Sequence, residues 1–370
     1  MDLVIARDAF IKSLSKVQGI VEKRNSMPIL SNALLRAGDG KLEILATDLE
    51  VTVIDNCPID LRHDGSLTLN AKKLFEIVRE MPDDQLSLVS DDEYRVEVKS
   101  GKVRFELSGM SADDYPKVPD SSELKFVKIS AAVMLEMISK TIYASAGEEA
   151  RFSLHGIFTE RMEDKKGLRM VATDGHRLAM VERELGGVST LAFEQSVIMP
   201  RKGMDTAMKL LDGVEGDIGL AIKEKMAALA INDTMLMMRL VDGKFPDYRR
   251  VIIEGCDRKA MINKEELLKN LRRVSLMVDE KARAVKFSFS KNLLALESKN
   301  PDYGSSYSEL EIQYGGEPMS IGFNDRYFVD IMGVSKGDTI EIDLKDEQSP
   351  ALVKLADDPN YVCVVMPMRL

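Results

Sequence analysis

A chain that repeats itself three times at domain scale is constrained to fold as three like units in a row. This 370-residue sequence does so weakly, with a spacing of roughly 125 residues, too long for a solenoid unit and right for a whole domain. The helical phrase LSKVQGIV at Leu14 returns as ISKTIYAS at Ile138 and LRRVSLMV at Leu271. A second phrase, NAKKLFEIV at Asn70, returns as PRKGMDTAM at Pro200 and NDRYFVDIM at Asn324. The strand phrase LEILATDLEVTV at Leu42 has a partner in LRMVATDGHRLAMV at Leu168 and a weaker one in LLALESKN at Leu293.

Each third reads as two half-units, a helix followed by strands. Phe10, Leu14, Val17 and Val21 fall at helical spacing, and Leu42, Ile44 and Ala46 alternate as in a half-buried strand. Helical stripes follow at Leu74, Ile77, Val78 and Met81, at Met134, Ile138 and Ile142, and at Met204, Met208 and Leu211. The last third supplies Leu267, Leu271 and Val274, then Phe328, Ile331 and Met332. Six helix-plus-sheet units are therefore expected, each packing one apolar stripe on a sheet. Polar or Pro-containing stretches at 113–124 and 246–257 mark the joints, giving domains 1–122, 123–252 and 253–370.

A net charge of -10 argues, taken alone, against a nucleic-acid partner, because phosphate contacts need Lys and Arg. The predicted helices are net positive, however, and the acid lies elsewhere. Two readings stay open: a basic helical surface, or basic side chains that merely solvate outer helix faces. Three cysteines, Cys57, Cys256 and Cys363, fall one in each third without a CxxC pair and read as idle thiols of a reducing cytoplasm. The start resembles no signal peptide, and no apolar run is long enough to span a bilayer.

The sequence contains no GxxxxGK[ST], GxGxxG or HExxH, and its three histidines, His63, His155 and His176, are scattered. Neither a cofactor nor a metal is expected. Asp174 and His176 could be an acid–base pair of a hydrolase, but no Ser or Cys nucleophile stands near them, and Asp174-Gly175 also reads as a turn with His176 and Arg177 exposed beyond it. A structural scaffold is the third reading.

At ATDGHRLAMVERE, GKFPDYRRVI and the terminal VVMPMRL, with MPILSNALL near Met27, the sequence resembles the bacterial DNA polymerase III β subunits, the sliding clamps, over essentially its whole length. The resemblance implies an α+β fold of three tandem DNA-clamp domains, each with two helices packed on antiparallel sheets. It implies a homodimer, a head-to-tail ring with helices lining the hole. The expected work is tethering rather than catalysis, in the cytoplasm: the ring encircles double-stranded DNA without sequence preference. It holds the polymerase III α subunit, the clamp loader, other polymerases and repair proteins by short linear motifs. Loading would then need a separate ATP-driven machine.

Family positions map the peptide pocket onto Leu154, Thr173, Gly175, His176, Arg177 and Leu178, with Pro246, Arg250 and Val251 from the connector. The last domain adds Asn324, Tyr327, Val364, Met366, Pro367, Met368 and Arg369. An apolar groove with Arg and His at its rim suits an amphipathic peptide, although NYVCVVMPMRL also reads as a final core strand with a frayed end. DNA-facing positions carried by the resemblance are Arg24, Arg201 and Lys202, and Lys12, Lys16, Lys269, Arg272 and Arg273 join them as basic residues of the inferred helices. Where the family can show a Gln and two Tyr, this chain has Glu148, Phe152 and Ser153. The edge strand 103–108, with Phe105 and Leu107, is expected to meet Leu276 and Met277 of a second copy.

Overall fold

The computed structural model describes residues 1–21, 27–147, 152–164, 166–191, 193, 196–279 and 282–369. Six α-helices lie among them: α1 Arg7–Val17, α2 Ala71–Arg79, α3 Ala131–Ile142, α4 Arg201–Leu211, α5 Lys264–Val274 and α6 Asp325–Val334. The repeated phrases now have a physical meaning. Asn70 and Asn324 are N-caps whose side chains accept from the backbone N–H of Lys73 and Arg326, both at 3.0 Å. Asn263 caps α5 in the same way, accepting from Glu266 N at 3.1 Å. The apolar stripes are buried as their spacing requires: Phe10, Leu14 and Val17 on α1, Leu267, Leu271 and Val274 on α5. Helix α1 is shorter than its periodicity suggests, since it stops at Val17 and the buried Val21 lies beyond it.

The chain forms two compact units. The first holds Met1–Leu135, Thr190–Glu194 and Lys202–Leu240; the second holds Glu136–Ser189, Gln195–Arg201 and Val241–Leu370. In the first unit the Val51–Pro58 strand pairs antiparallel with Thr234–Arg239, placing Asp55 opposite Thr234 inside one nine-stranded sheet. In the second, Arg177–Glu184 pairs antiparallel with Asp358–Val365, again inside a nine-stranded sheet. Strands from different thirds of the sequence therefore share one hydrogen-bonded ladder, which makes the sheet, rather than the sequence repeat, the compact body.

Each unit also carries a smaller sheet with an open edge. Val103–Ser108 ends the five-stranded sheet of the first unit, and Gly304–Glu311 ends the four-stranded sheet of the second. All residues of Val103–Ser108 except the half-buried Leu107 are exposed.

Two buried ionic ties lie under the large sheets. Lys16 of α1 donates to Asp55 at 2.8 Å and to Thr234 at 3.0 Å. Lys140 of α3 donates to Glu136 at 2.7 Å and to Asp358 at 2.5 Å, and Arg183 binds the same two carboxylates. Burial opposes the charge on Glu136 and Asp358, yet Arg183 and Lys140 outweigh it and hold both carboxyls below the ordinary range.

Candidate peptide cleft and basic helix faces

The cleft lies in the second unit and starts from a turn. Thr173 Oγ1 donates to Arg177 O at 2.6 Å and accepts from Gly175 N at 3.1 Å. The Asp174 carboxylate accepts from the backbone N–H groups of His176 and Arg177 at 2.9 and 3.0 Å, and from Arg177 Nε at 3.1 Å. Its oxygens thus close a turn and grip Arg177 rather than the His176 ring, which removes the basis of the acid–base reading. Gly175 has φ of 91°, a left-handed value that a side chain adopts only with strain.

Arg177 corrects the expectation that it stands exposed beyond the turn: its side chain is only 12% exposed. Nη1 meets Asp330 of α6 at 2.5 Å, Nη2 donates to Tyr143 O at 2.6 Å, and the guanidinium lies 4.6 Å from the Tyr327 ring centre. Burial works against the cation, but Asp330 and Asp174 more than offset it and raise its pKa. Met366 N donates to His176 O at 2.9 Å, and Met368 N to Gly322 O at 2.8 Å, so the terminal segment is pinned along the turn.

These elements enclose a cavity of about 150 Å³. Leu154, Thr173, Gly175, Arg177 and Leu178 line it from the middle third, Pro246 and Val251 from the connector, and Val364 and Met366 from the last strand and its tail. Asp247 and Tyr248 also line it, and sequence reasoning missed both although they stand inside the GKFPDYRRVI phrase. Tyr248 is buried against Phe158, which stacks on Phe245 at 4.7 Å, and its hydroxyl binds Glu160 while accepting from Arg169 at 2.9 Å. Burial, with Glu160, pushes that phenol up to about 12. The floor is therefore apolar and rigid, as a ligand groove requires.

The other expected pocket residues do not line this cavity. His176 and Arg250 are exposed, Arg250 pairing with Asp247 at 2.9 Å. Asn324 caps α6, Tyr327 packs on Arg177, and Pro367, Met368 and Arg369 continue the pinned tail. The Met368 bridge to Gly322 argues against a freely frayed end.

Of the basic positions, Lys12 is exposed on α1, whereas Lys16 is turned inward to Asp55. Arg201 donates to Ser145 O at 3.0 Å, and Lys202 meets the buried Asp48 at 2.5 Å. Lys269 is exposed beside Glu266 at 3.2 Å, and Arg272 and Arg273 are exposed in the last turn of α5. Arg24, Glu148 and the Phe152 side chain lie outside the described residues; Ser153 is half-buried in a short turn.

Three family models tile the sequence: the N-terminal domain of the DNA polymerase III beta subunit matches residues 1–119, the central domain 128–247 and the C-terminal domain 249–369. The chain belongs to the DNA polymerase III beta subunit family. The beta sliding clamp of Vibrio cholerae is 34% identical over 371 residues, covering 100% of both chains. Among solved structures, the DNA polymerase III subunit beta of Pseudomonas aeruginosa superposes with a TM-score of 0.93 at 33% identity, and the DnaN sliding clamp of Bartonella birtlesii bound to griselimycin with 0.95 at 36%, each over 100% of both chains. The fold is thus that of the sliding clamps, three tandem domains with helices on antiparallel sheets.

Proposed function

We propose that this chain is a DNA sliding clamp, the accessory subunit that keeps DNA polymerase III on its template and has no catalytic site of its own. The match of all three family domains along the whole chain carries this reading. Two copies join head to tail as a ring around duplex DNA, with the α-helices toward the hole. Topological linkage then replaces grip, so weak phosphate contacts suffice and sequence goes unread.

The open edges support the ring. Val51–Pro58 is covered by Thr234–Arg239 and Arg177–Glu184 by Asp358–Val365, whereas Gly304–Glu311, their counterpart in the third repeat, is an edge. Val103–Ser108 is the edge strand that corresponds to the two covering strands. Pairing the two edges between copies repeats the same ladder a third time. Phe105 and Leu107 then meet Leu276 and Met277, of which Leu276 is 81% exposed, and such apolar exposure beside an open edge calls for a cover. A twofold axis relates the two joints.

The candidate DNA-facing residues are Lys12, Arg24, Arg201, Lys202, Lys269, Arg272 and Arg273; Lys16 contributes field, since its ammonium is held by Asp55. The cleft at Leu178, Tyr248, Val364 and Met366 receives short amphipathic motifs of the polymerase α subunit, the clamp loader and repair proteins, with His176, Arg250 and Arg369 at its margin favouring a carboxylate on the peptide. No helix among the described residues is long and apolar enough to cross a membrane, and work on DNA places the chain in the cytoplasm.

Retention on nicked circular DNA tests the ring. The loaded protein is expected to stay through a high-salt wash and to leave once the circle is cut. Equal retention on linear and circular DNA would contradict encirclement.

A further inference from the structure

The first unit contains a cleft built on the same backbone plan as the peptide cleft. Thr47 Oγ1 donates to Val51 O at 3.1 Å and accepts from Leu49 N at 3.0 Å, as Thr173 does with Arg177 and Gly175. Asp48 Oδ1 accepts from Glu50 N at 2.9 Å and Val51 N at 2.6 Å, as Asp174 does in its own turn. Arg239 N donates to Glu50 O at 2.8 Å, the counterpart of Met366 N to His176 O. The repeat has copied the turn, the strand that covers it and the hydrogen bond that joins them.

The copy encloses a cavity of about 610 Å³, larger than the peptide cleft, floored by Met226, Met237 and Leu124. Leu49 stands where the first cleft has Gly175. It has φ of 78° and is 54% exposed. A bulky residue held in the left-handed region with its side chain in water is costly twice over, and such outliers cluster where a ligand is received.

The charges differ from those of the peptide cleft. Glu50 takes the place of His176, and Asp120, Glu123 and Glu224 share the lining with Lys223, Lys225 and Arg239, four carboxylates against three cations. Glu123 is bound by Lys223; Glu50, Asp120 and Glu224 are exposed, as are Lys225 and Arg239, so the lining keeps an acidic excess of one charge. The geometry points to a second peptide-docking site here, for a short extended segment that presents leucine-like side chains to the methionine floor and lysine or arginine to Glu50 and Asp120. Methionine suits such a floor because its side chain adapts to different apolar shapes. Opposite charge preference would keep the two clefts from competing for one motif. The inference rests on the peptide reading of the first cleft, since it extends that turn chemistry to its repeat.

Methyl NMR of the full-length protein, with carbon-13 on the methionine methyls, tests it with two acetylated, amidated peptides, KLLKL and its twin ELLEL. KLLKL is expected to move the Met226 and Met237 signals and to spare Met366, and its affinity is expected to fall about tenfold in Glu50→Lys. ELLEL is expected to move Met366 only. If ELLEL moves Met366 while KLLKL leaves Met226 and Met237 still up to about 1 mM, the second site is refuted and the first stands. If neither peptide moves any of these signals, both readings fail. KLLKL acting on Met366 alone would also overturn the proposal.

Discussion

Lys140 Nζ lies 2.5 Å from Asp358 Oδ2, joining a helix of the middle third to the last strand of the chain. Lys16, the same residue of the repeated LSK/ISK phrase, reaches Thr234 in the first unit, and in both cases the partner lies 218 positions onward. With both side chains under a tenth exposed, removing one partner strands a charge. Asp358→Ala is expected to lower unfolding stability by about 3 kcal/mol in denaturant titration. A double change to Lys140→Met and Asp358→Leu should cost less, because Glu136 and Arg183 then remain as each other's partners and no charge is left unpaired.

The same cluster is expected to contribute to the acid limit. Glu136 and Asp358 have carboxyl pKa values held below those of the unfolded chain, so their stabilisation is full above about pH 4.5 and is lost as pH falls through the lower folded values. Thermal midpoints are expected to drop steeply below about pH 4. In Asp358→Asn that part of the slope should flatten.

At the cleft, Met366→Glu places a carboxylate in the apolar lining. Binding of a short amphipathic partner peptide, followed by fluorescence anisotropy, is expected to weaken at least about tenfold, while circular dichroism stays unchanged. Gly175→Val should lower stability by about 1–2 kcal/mol, since valine resists the φ of 91° found there.

For the ring, Leu276→Asp removes the most exposed apolar side chain at the proposed joint. Sedimentation at about 1 µM is expected to show a dimer for the parent and a monomer for the variant. A parent that sediments as a monomer would leave the edges without their cover.

For DNA, Arg272→Ala with Arg273→Ala is expected to reduce the slope of log affinity against log salt by about 2 on duplex DNA, because two phosphate contacts are removed. An unchanged slope would place these two side chains away from the duplex.

By itself the sequence determined what short-range chemistry encodes. The helical stripes at Phe10, Leu14 and Val17 and at Leu267, Leu271 and Val274 are buried as spaced, and the repeated asparagines Asn70 and Asn324 start helices because a side-chain oxygen is needed there. The Asp174-Gly175 turn was legible for the same reason, as a dipeptide suited to positive φ. Only the tertiary structure decided which strands share a ladder, since pairing Asp55 with Thr234 or Val181 with Tyr361 joins residues far apart in the chain. It drew Arg177 inward to Asp330, turned Lys16 to Asp55 and set Asp247 and Tyr248 into the cleft. Periodicity tells which face of an element is buried. What a buried cation or phenol meets depends on long-range packing, which no local pattern carries.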